Sequence, residues 1–212
     1  MIYRYLNITE LNIEDISKKV SSERLERAAK FKNETDKKRS IAVEYLLNLM
    51  LKECIEKPDT CGILSLRDSK IQFPVTLTYD EKGKPHIYDD SVYFSLSHSG
   101  DYVACIISDK PCGIDIERHS EKRDYSKIAR RICTDDELSM INNSVEFYSY
   151  WTLKESALKA VGLGLALDMK KVEFIPDRES PRRFITNVDG IGYVGEVLDS
   201  PEGYSLSYVE TL

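Results

Sequence analysis

Two acidic segments carry the residue types that hold a divalent cation. In Gly113-Ile114-Asp115-Ile116-Glu117 the carboxylates stand two residues apart. On a strand, residues i and i+2 share a face, so Asp115 and Glu117 point the same way with Ile114 and Ile116 behind them. In Trp151-Thr152-Leu153-Lys154-Glu155-Ser156-Ala157-Leu158-Lys159, helical spacing puts Trp151, Glu155 and Lys159 at i, i+4 and i+8 along one face. Asp115, Glu117 and Glu155 together supply three hard oxygen donors, a set that suits Mg²⁺ and leaves positions open for the oxygens of a diphosphate. Read singly, the first segment is also the polar side of a half-exposed strand, and the second a solvated Glu–Lys pair.

A diphosphate needs cations and N–H donors as well. Ser97-His98-Ser99-Gly100 falls at an expected hairpin turn, where two hydroxyls, an imidazole and a glycine-freed backbone can meet an oxyanion; Ser and Gly are also ordinary turn residues. Gly83-Lys84-Pro85 presents one cation from a fixed turn. Arg24 and Arg27, at i and i+3 on a helix face, suit bidentate contact with a terminal phosphate, within a basic run that continues through Lys30, Lys32, Lys37, Lys38 and Arg39. Such a run also reads as a solvated face. No G-x-S-x-G turn is present, which disfavours a Ser-His hydrolase.

The elements that must position these residues sit in a chain of 212 residues, 42% hydrophobic and 31% charged, a globular composition. The net charge of −6 argues against broad nucleic-acid binding, which needs a basic surface. No uncharged apolar stretch approaches bilayer-spanning length, and the start, with Glu10 and Asp15, has no apolar core of a signal peptide. Cys54, Cys61, Cys105, Cys112 and Cys133 are odd in number and lack C-x-x-C spacing, so free thiols in a reducing cytoplasm are expected. His86, His98 and His119 do not pair with them at zinc-ligand spacing.

The periodicity predicts a strand over 2–7, helical segments between Ile13 and Lys32, and a long amphipathic helix over Glu34–Ile55 with Ala42, Leu46, Leu49 and Met50 on its apolar stripe, ended by Pro58 and Gly62. Short strands follow between Leu64 and Tyr79, then the turn 80–85, then a hairpin of 92–97 and 102–107 about Ser99-Gly100-Asp101. A strand over Gly113–Glu117 leads to short helices over Tyr125–Cys133 and Asp135–Asn142, the second capped by Thr134. A long helix over Val145–Val161 stops at Gly162 and Gly164. Strands with turns at Asp189-Gly190 and Pro201-Glu202-Gly203 complete the chain. Each half thus has a long helix followed by antiparallel strands, an α+β pattern of two similar subdomains, 1–108 and 109–212.

The ordered set Phe94-Ser95-Leu96-Ser97-His98-Ser99-Gly100, Gly113-Ile114-Asp115-Ile116-Glu117 and Trp151-Thr152-Leu153-Lys154-Glu155-Ser156-Ala157-Leu158-Lys159-Ala160, closed by Gly162 and Gly164, resembles the 4′-phosphopantetheinyl transferases of the long, Sfp-like (surfactin-synthetase-activating) type. Gly83-Lys84-Pro85 and the Arg24–Phe31 segment fall in family order. The resemblance covers roughly residues 20 to 175. It implies two α/β subdomains related by a pseudo-twofold axis with the ligand cleft between them, in a cytoplasmic monomer.

The resemblance also implies the reaction. Coenzyme A donates its 4′-phosphopantetheine arm to a serine of an apo acyl, peptidyl or aryl carrier protein, and adenosine 3′,5′-bisphosphate leaves. Asp115, Glu117 and Glu155 would hold Mg²⁺, or Mn²⁺. Glu155 would also act as base for the carrier serine, and Lys159 would neutralise or protonate the leaving phosphate. Ser97 and His98 would bind coenzyme A, Gly83, Lys84 and Pro85 would surround the adenine, and Arg24, Arg27 and Arg39 would take the adenosine-bisphosphate end. Relatives often carry lysine where this chain has Arg24 and Arg27. A carrier-docking patch is expected after Glu117, from Arg118, Lys122, Arg123, Lys127, Arg130 and Arg131 with exposed Ile128 and Ile132. The alternatives are a Mg²⁺-dependent phosphodiesterase and a non-catalytic coenzyme A- or carrier-binding protein. Fatty-acid, polyketide, nonribosomal-peptide and lysine-biosynthetic carriers are all open, so fatty-acid and antibiotic biosynthesis both stand as pathways.

Overall fold

A computed structural model describes residues 1–67, 69–87, 92–122, 124–162 and 167–212; Arg123 and Gly164, named above, lie outside the described residues. The chain divides into two units, Met1–Lys110 and Pro111–Leu212.

In the first unit, β1 (Ile2–Asn7) pairs antiparallel with β5 (Tyr102–Ser108), which pairs with β4 (Tyr93–Ser99). The hairpin closes through Gly100, whose φ of 54° is left-handed. The helix-prone stretch after β1 is broken into α1 (Ile13–Ser17) and α2 (Ser22–Ala29), because the Ser21 hydroxyl accepts the Arg24 N–H and caps a new helix. Then α3 (Glu34–Glu56) starts at Asn33, whose side chain accepts the Thr35 N–H. Its core face is wider than the predicted stripe and includes Ile41, Ala42, Val43, Leu46, Leu47, Met50, Leu51 and Cys54, whereas Leu49 falls on the flank and is 36% exposed. Pro58 does not simply end the helix. It opens a further short one, α4 (Pro58–Cys61), capped by left-handed Gly62.

The strands expected between Leu64 and Tyr79 shrink to β2 (Leu77–Tyr79), which pairs with β3 (Pro85–Ile87). The physical reason is where the backbone donors go. The Leu64 and Ser65 N–H groups bond the Asp109 carboxylate, and the Val75 N–H bonds Asn48 Oδ1 on α3. Side chains have taken the place of strand partners there.

In the second unit, β6 (Cys112–Arg118), β10 (Tyr204–Thr211), β9 (Ile191–Leu198), β8 (Arg183–Val188) and β7 (Ile175–Pro176) form one antiparallel sheet in that order. The helices α5 (Tyr125–Ile132), α6 (Asp135–Ser139) and α7 (Ser144–Val161) precede β7 in sequence. Thr134 caps α6 as expected, in a capping box with Glu137. Gly162, with φ 75°, ends α7. Leu153, Ala157 and Ala160 of α7 share one apolar core with Phe174, Phe184, Tyr193 and Val209. The α+β class read from the sequence holds, and the turns at 189–190 and 201–203 fall where Gly and Pro placed them.

Candidate active site

The acidic site is built from β6 and α7. A Cβ added at Gly113 would stand 2.0 Å from the Ser156 carbonyl oxygen and 2.9 Å from the Lys159 Cβ, so β6 runs hard against the helix only because residue 113 has no side chain. Strand alternation sends Asp115 and Glu117 to the same side as Gly113, toward α7, while Ile114 and Ile116 lie buried on the other face. Hydroxyls fix the helix against the sheet. Thr152 Oγ1 meets Ser207 Oγ at 2.7 Å, and Ser156 Oγ donates to the Ser207 carbonyl at 2.9 Å. Ser207 is the direct cross-strand partner of Asp115, and Ser205 of Glu117.

This docking brings the predicted residues together. Trp151, Glu155 and Lys159 form a half-buried row on α7, whose flanking residues are buried. Lys159 Nζ donates to Asp115 Oδ1 and to the Ile114 carbonyl, both at 2.8 Å. Burial, and next the Asp115 carboxylate, pushes the Glu155 carboxyl above its ordinary value; Lys159 opposes the rise and Glu117 adds to it. Glu155 therefore feels both strand carboxylates and the ammonium.

Among the described residues no three His, Cys, Asp or Glu side chains form a ready-made metal cage. Asp115 is instead held by Lys159. Asp115 and Glu117 both press on the Glu155 carboxyl, a like-charge arrangement of hard oxygen donors that a divalent cation would relieve.

The sequence missed a second pair beside this site. Lys154 Nζ lies 2.8 Å from Glu137 Oε2, both side chains almost wholly buried. The ammonium also donates to the Met169 and Val172 carbonyls, and Glu137 accepts the Thr134 and Phe174 N–H groups. This satisfied ion pair ties α6 and the segment before β7 to the residue preceding Glu155. The Thr134–Glu137 capping box was the one readable signal.

The basic residues lie in the first unit. Arg24 Nε donates to Glu44 Oε2 at 2.8 Å and its Nη2 to the Tyr79 hydroxyl at 3.1 Å. The Arg27 guanidinium carbon stands 4.0 Å from the Tyr79 ring centroid. Arg39 pairs with Asp36 at 2.8 Å, and its buried Nε has no hydrogen-bond partner. In the 80–85 turn the Lys82 and Lys84 N–H groups bond Asp80 Oδ1, and left-handed Gly83 completes the bend before Pro85. The Lys84 N–H holds the Asp80 carboxyl below its usual value against the opposing effect of burial, and the His86 ring and the Lys82 N–H add to the lowering.

Ser97 and His98 are not turn residues. They lie on β4, paired with Ala104 and Val103. Alternation sends Ser97 and Ser99 to one face of the strand and His98 to the other. His98 ends the Phe94-Leu96-His98 row and is exposed, while Ser97 is buried. Ile128 and Ile132, expected to be exposed, are half-buried against Ala129, Phe147 and Tyr148, because a short amphipathic helix must bury its apolar stripe. Lys127, Arg130 and Arg131 are exposed on the other side of α5.

Comparison with known proteins agrees on the family. A family profile described as the 4′-phosphopantetheinyl transferase superfamily matches residues 111–209, which contain Asp115, Glu117, Glu155 and Lys159. The chain is 32% identical over 156 residues to the 4′-phosphopantetheinyl transferase gsp of Aneurinibacillus migulanus, covering 71% of this chain and 59% of that protein. A phosphopantetheinyl transferase of Thraustochytrium is 29% identical over 182 residues, covering 76% and 59%. The 4′-phosphopantetheinyl transferase Sfp of Bacillus subtilis is 29% identical over 216 residues, covering 91% and 90%. The match thus spans about three-fifths of the length of the first two relatives and most of the third. With the ordered motifs and the β6–α7 geometry, these similarities show that the chain belongs to the 4′-phosphopantetheinyl transferase superfamily.

Proposed function

We propose that this protein transfers the 4′-phosphopantetheine arm of coenzyme A to a serine of an apo carrier protein, forming holo-carrier and adenosine 3′,5′-bisphosphate. The observation that carries the reading is the cluster that α7 and β6 build inside the family-matched region: Glu155 under like-charge pressure from Asp115 and Glu117, with Lys159 on Asp115.

In this reading the serine oxygen attacks the β-phosphorus, the bond from that phosphorus to the bridging oxygen breaks, and the serine proton passes to Glu155. Burial and neighbouring carboxylates raise the Glu155 carboxyl, which brings its proton affinity closer to what a general base needs. Lys159 offers an ammonium to the departing phosphate. Asp115, Glu117 and Glu155 would hold Mg²⁺, which would supply charge neutralisation on the diphosphate. Arg27 and Arg39 with Lys84 take the adenosine-bisphosphate end, Arg24 supports that group from its pair with Glu44, and Ser97 and His98 contribute to coenzyme A binding. The exposed Lys127, Arg130 and Arg131 of α5 offer a basic patch to an acidic carrier.

The test is to incubate the protein with coenzyme A, Mg²⁺ and a panel of apo-carriers and to weigh each carrier. A carrier that gains the arm, with release of adenosine 3′,5′-bisphosphate, supports the reading. Metal-dependent hydrolysis of coenzyme A with no carrier modified would assign a phosphodiesterase instead.

A further inference from the structure

The two arginines of α2 do different work. Arg24 is bound into the fold: its side chain is 10% exposed and that of its partner Glu44 only 2%. Glu44 also accepts the Ser21 N–H at 2.7 Å, so the carboxylate serves both the helix start and the guanidinium. A buried carboxylate matches the Arg24 charge. Arg27, one turn later, is exposed, and among the described residues no carboxylate pairs with it.

One ring touches both. The Tyr79 hydroxyl receives Arg24 Nη2 at 3.1 Å, and the Tyr79 face carries the Arg27 guanidinium at 4.0 Å. Tyr79 is the last residue of β2 and the direct cross-strand partner of Pro85. It therefore joins α2 to the Gly83-Lys84-Pro85 turn, a link that neither α2 nor the turn reveals in sequence.

From this juxtaposition we infer that Tyr79 is a positioning residue: anchored through Arg24 to Glu44, it holds the Arg27 guanidinium ready for a phosphate monoester, while Arg24 acts through Tyr79 and makes no phosphate contact of its own. The inference rests on the proposed reading of this basic group as the seat of the adenosine-bisphosphate end. A free arginine gives up much rotamer freedom when it grips an anion. A guanidinium already lying on a ring has given up part of it and still presents N–H edges for a bidentate contact. Pre-organisation of this kind raises affinity without adding a contact.

The test compares binding of coenzyme A and 3′-dephospho-coenzyme A by calorimetry, with thermal melts as the control for folding. Arg27→Met is expected to weaken coenzyme A binding by about tenfold, the size of one charged hydrogen bond, and to leave the dephospho ligand unchanged. Tyr79→Leu is expected to reproduce most of that selective loss, and Tyr79→Phe, which keeps the ring under Arg27 but removes the hydroxyl that Arg24 holds, to show an intermediate selective loss. If Tyr79→Leu does not fold, Tyr79→Thr is the ring-less variant to use. Wild-type coenzyme A binding by a folded ring-less variant, with Arg27→Met still selective, would overturn the role of Tyr79 alone. Equal effects of Arg27→Met on both ligands would overturn the assignment of this group to the terminal phosphate, and the inference with it.

Discussion

Lys159 Nζ stands 2.8 Å from Asp115 Oδ1, joining the last turn of α7 to the middle of β6. The ammonium therefore occupies a carboxylate that the proposed cation also needs. On the proposed reading, metal loading and Lys159 placement should be linked, and a ligand that draws Lys159 toward a phosphate should release Asp115. Lys159→Met should lower kcat of arm transfer by about a hundredfold or more, as loss of a positioned acid does. It should also tighten Mg²⁺ binding in the absence of coenzyme A, because the competing ammonium is gone. A metal titration of the two proteins checks the second half, and unchanged Mg²⁺ affinity would refute the competition.

The raised Glu155 carboxyl makes a pH prediction for the metal-free protein. Its folded pKa lies above the ordinary 4.5, so the ionised group opposes folding. The penalty is absent below 4.5 and grows as pH rises through the folded value. Glu155→Gln should therefore raise the melting temperature at neutral pH, give no gain below pH 4.5, and abolish transfer. Thermal melts over that pH range, with and without Mg²⁺, measure the effect; added Mg²⁺ should stabilise wild type more than the variant.

Glu137→Gln removes the counter-charge of a lysine that is almost wholly buried. Leaving Lys154 without it should destabilise the protein by about 3–5 kcal/mol. The paired replacement of Glu137 and Lys154 by Leu and Met should recover much of that loss, because the uncompensated charge leaves with the carboxylate. Denaturant unfolding of the three variants separates the contributions.

Gly113→Ala would place a methyl group 2.0 Å from the Ser156 carbonyl oxygen, a backbone atom that cannot rotate away. The strand must then shift from the helix, with a loss of about 1–3 kcal/mol or more. The same shift carries Asp115 away from Lys159, so transfer should fall further than stability predicts. Activity assayed where the variant is fully folded distinguishes the two losses.

Charge reversal at Arg130 and Arg131, exposed on α5, should raise KM for an acidic carrier and weaken its salt dependence. Coenzyme A binding should stay unchanged. An unaltered carrier KM would remove α5 from the docking surface.

The acidic site was legible because its members follow local periods: two on a strand, four on a helix. Gly113 stood in the same motif, but its purpose became visible only once α7 lay against it. The long-range partners were not legible. Glu44 to Arg24, Tyr79 to Arg27 and Glu137 to Lys154 join residues on different elements, and no local pattern encodes such pairs. The 64–76 region misled the periodicity for another reason. Leu66 and Val75 are buried in the core, yet the Leu64, Ser65 and Val75 N–H groups are satisfied by Asp109 and Asn48, which removes the need for strand partners there. The hairpin strand runs two residues further than its periodicity ended it, so His98 and Ser99 are strand residues and only Gly100 and Asp101 make the turn.

None of the five cysteines is in a disulfide and all are buried, and burial pushes the Cys54 thiol up to about 12 and the Cys133 thiol up to about 11. Shielded in this way, all five should resist alkylating reagents until the surrounding structure opens. Cys54, Cys61 and Cys105 belong to the first unit and Cys112 and Cys133 to the second. Timed labelling followed by peptide mapping would thus serve as two built-in clocks, showing whether the halves of the molecule come apart as one event or in succession.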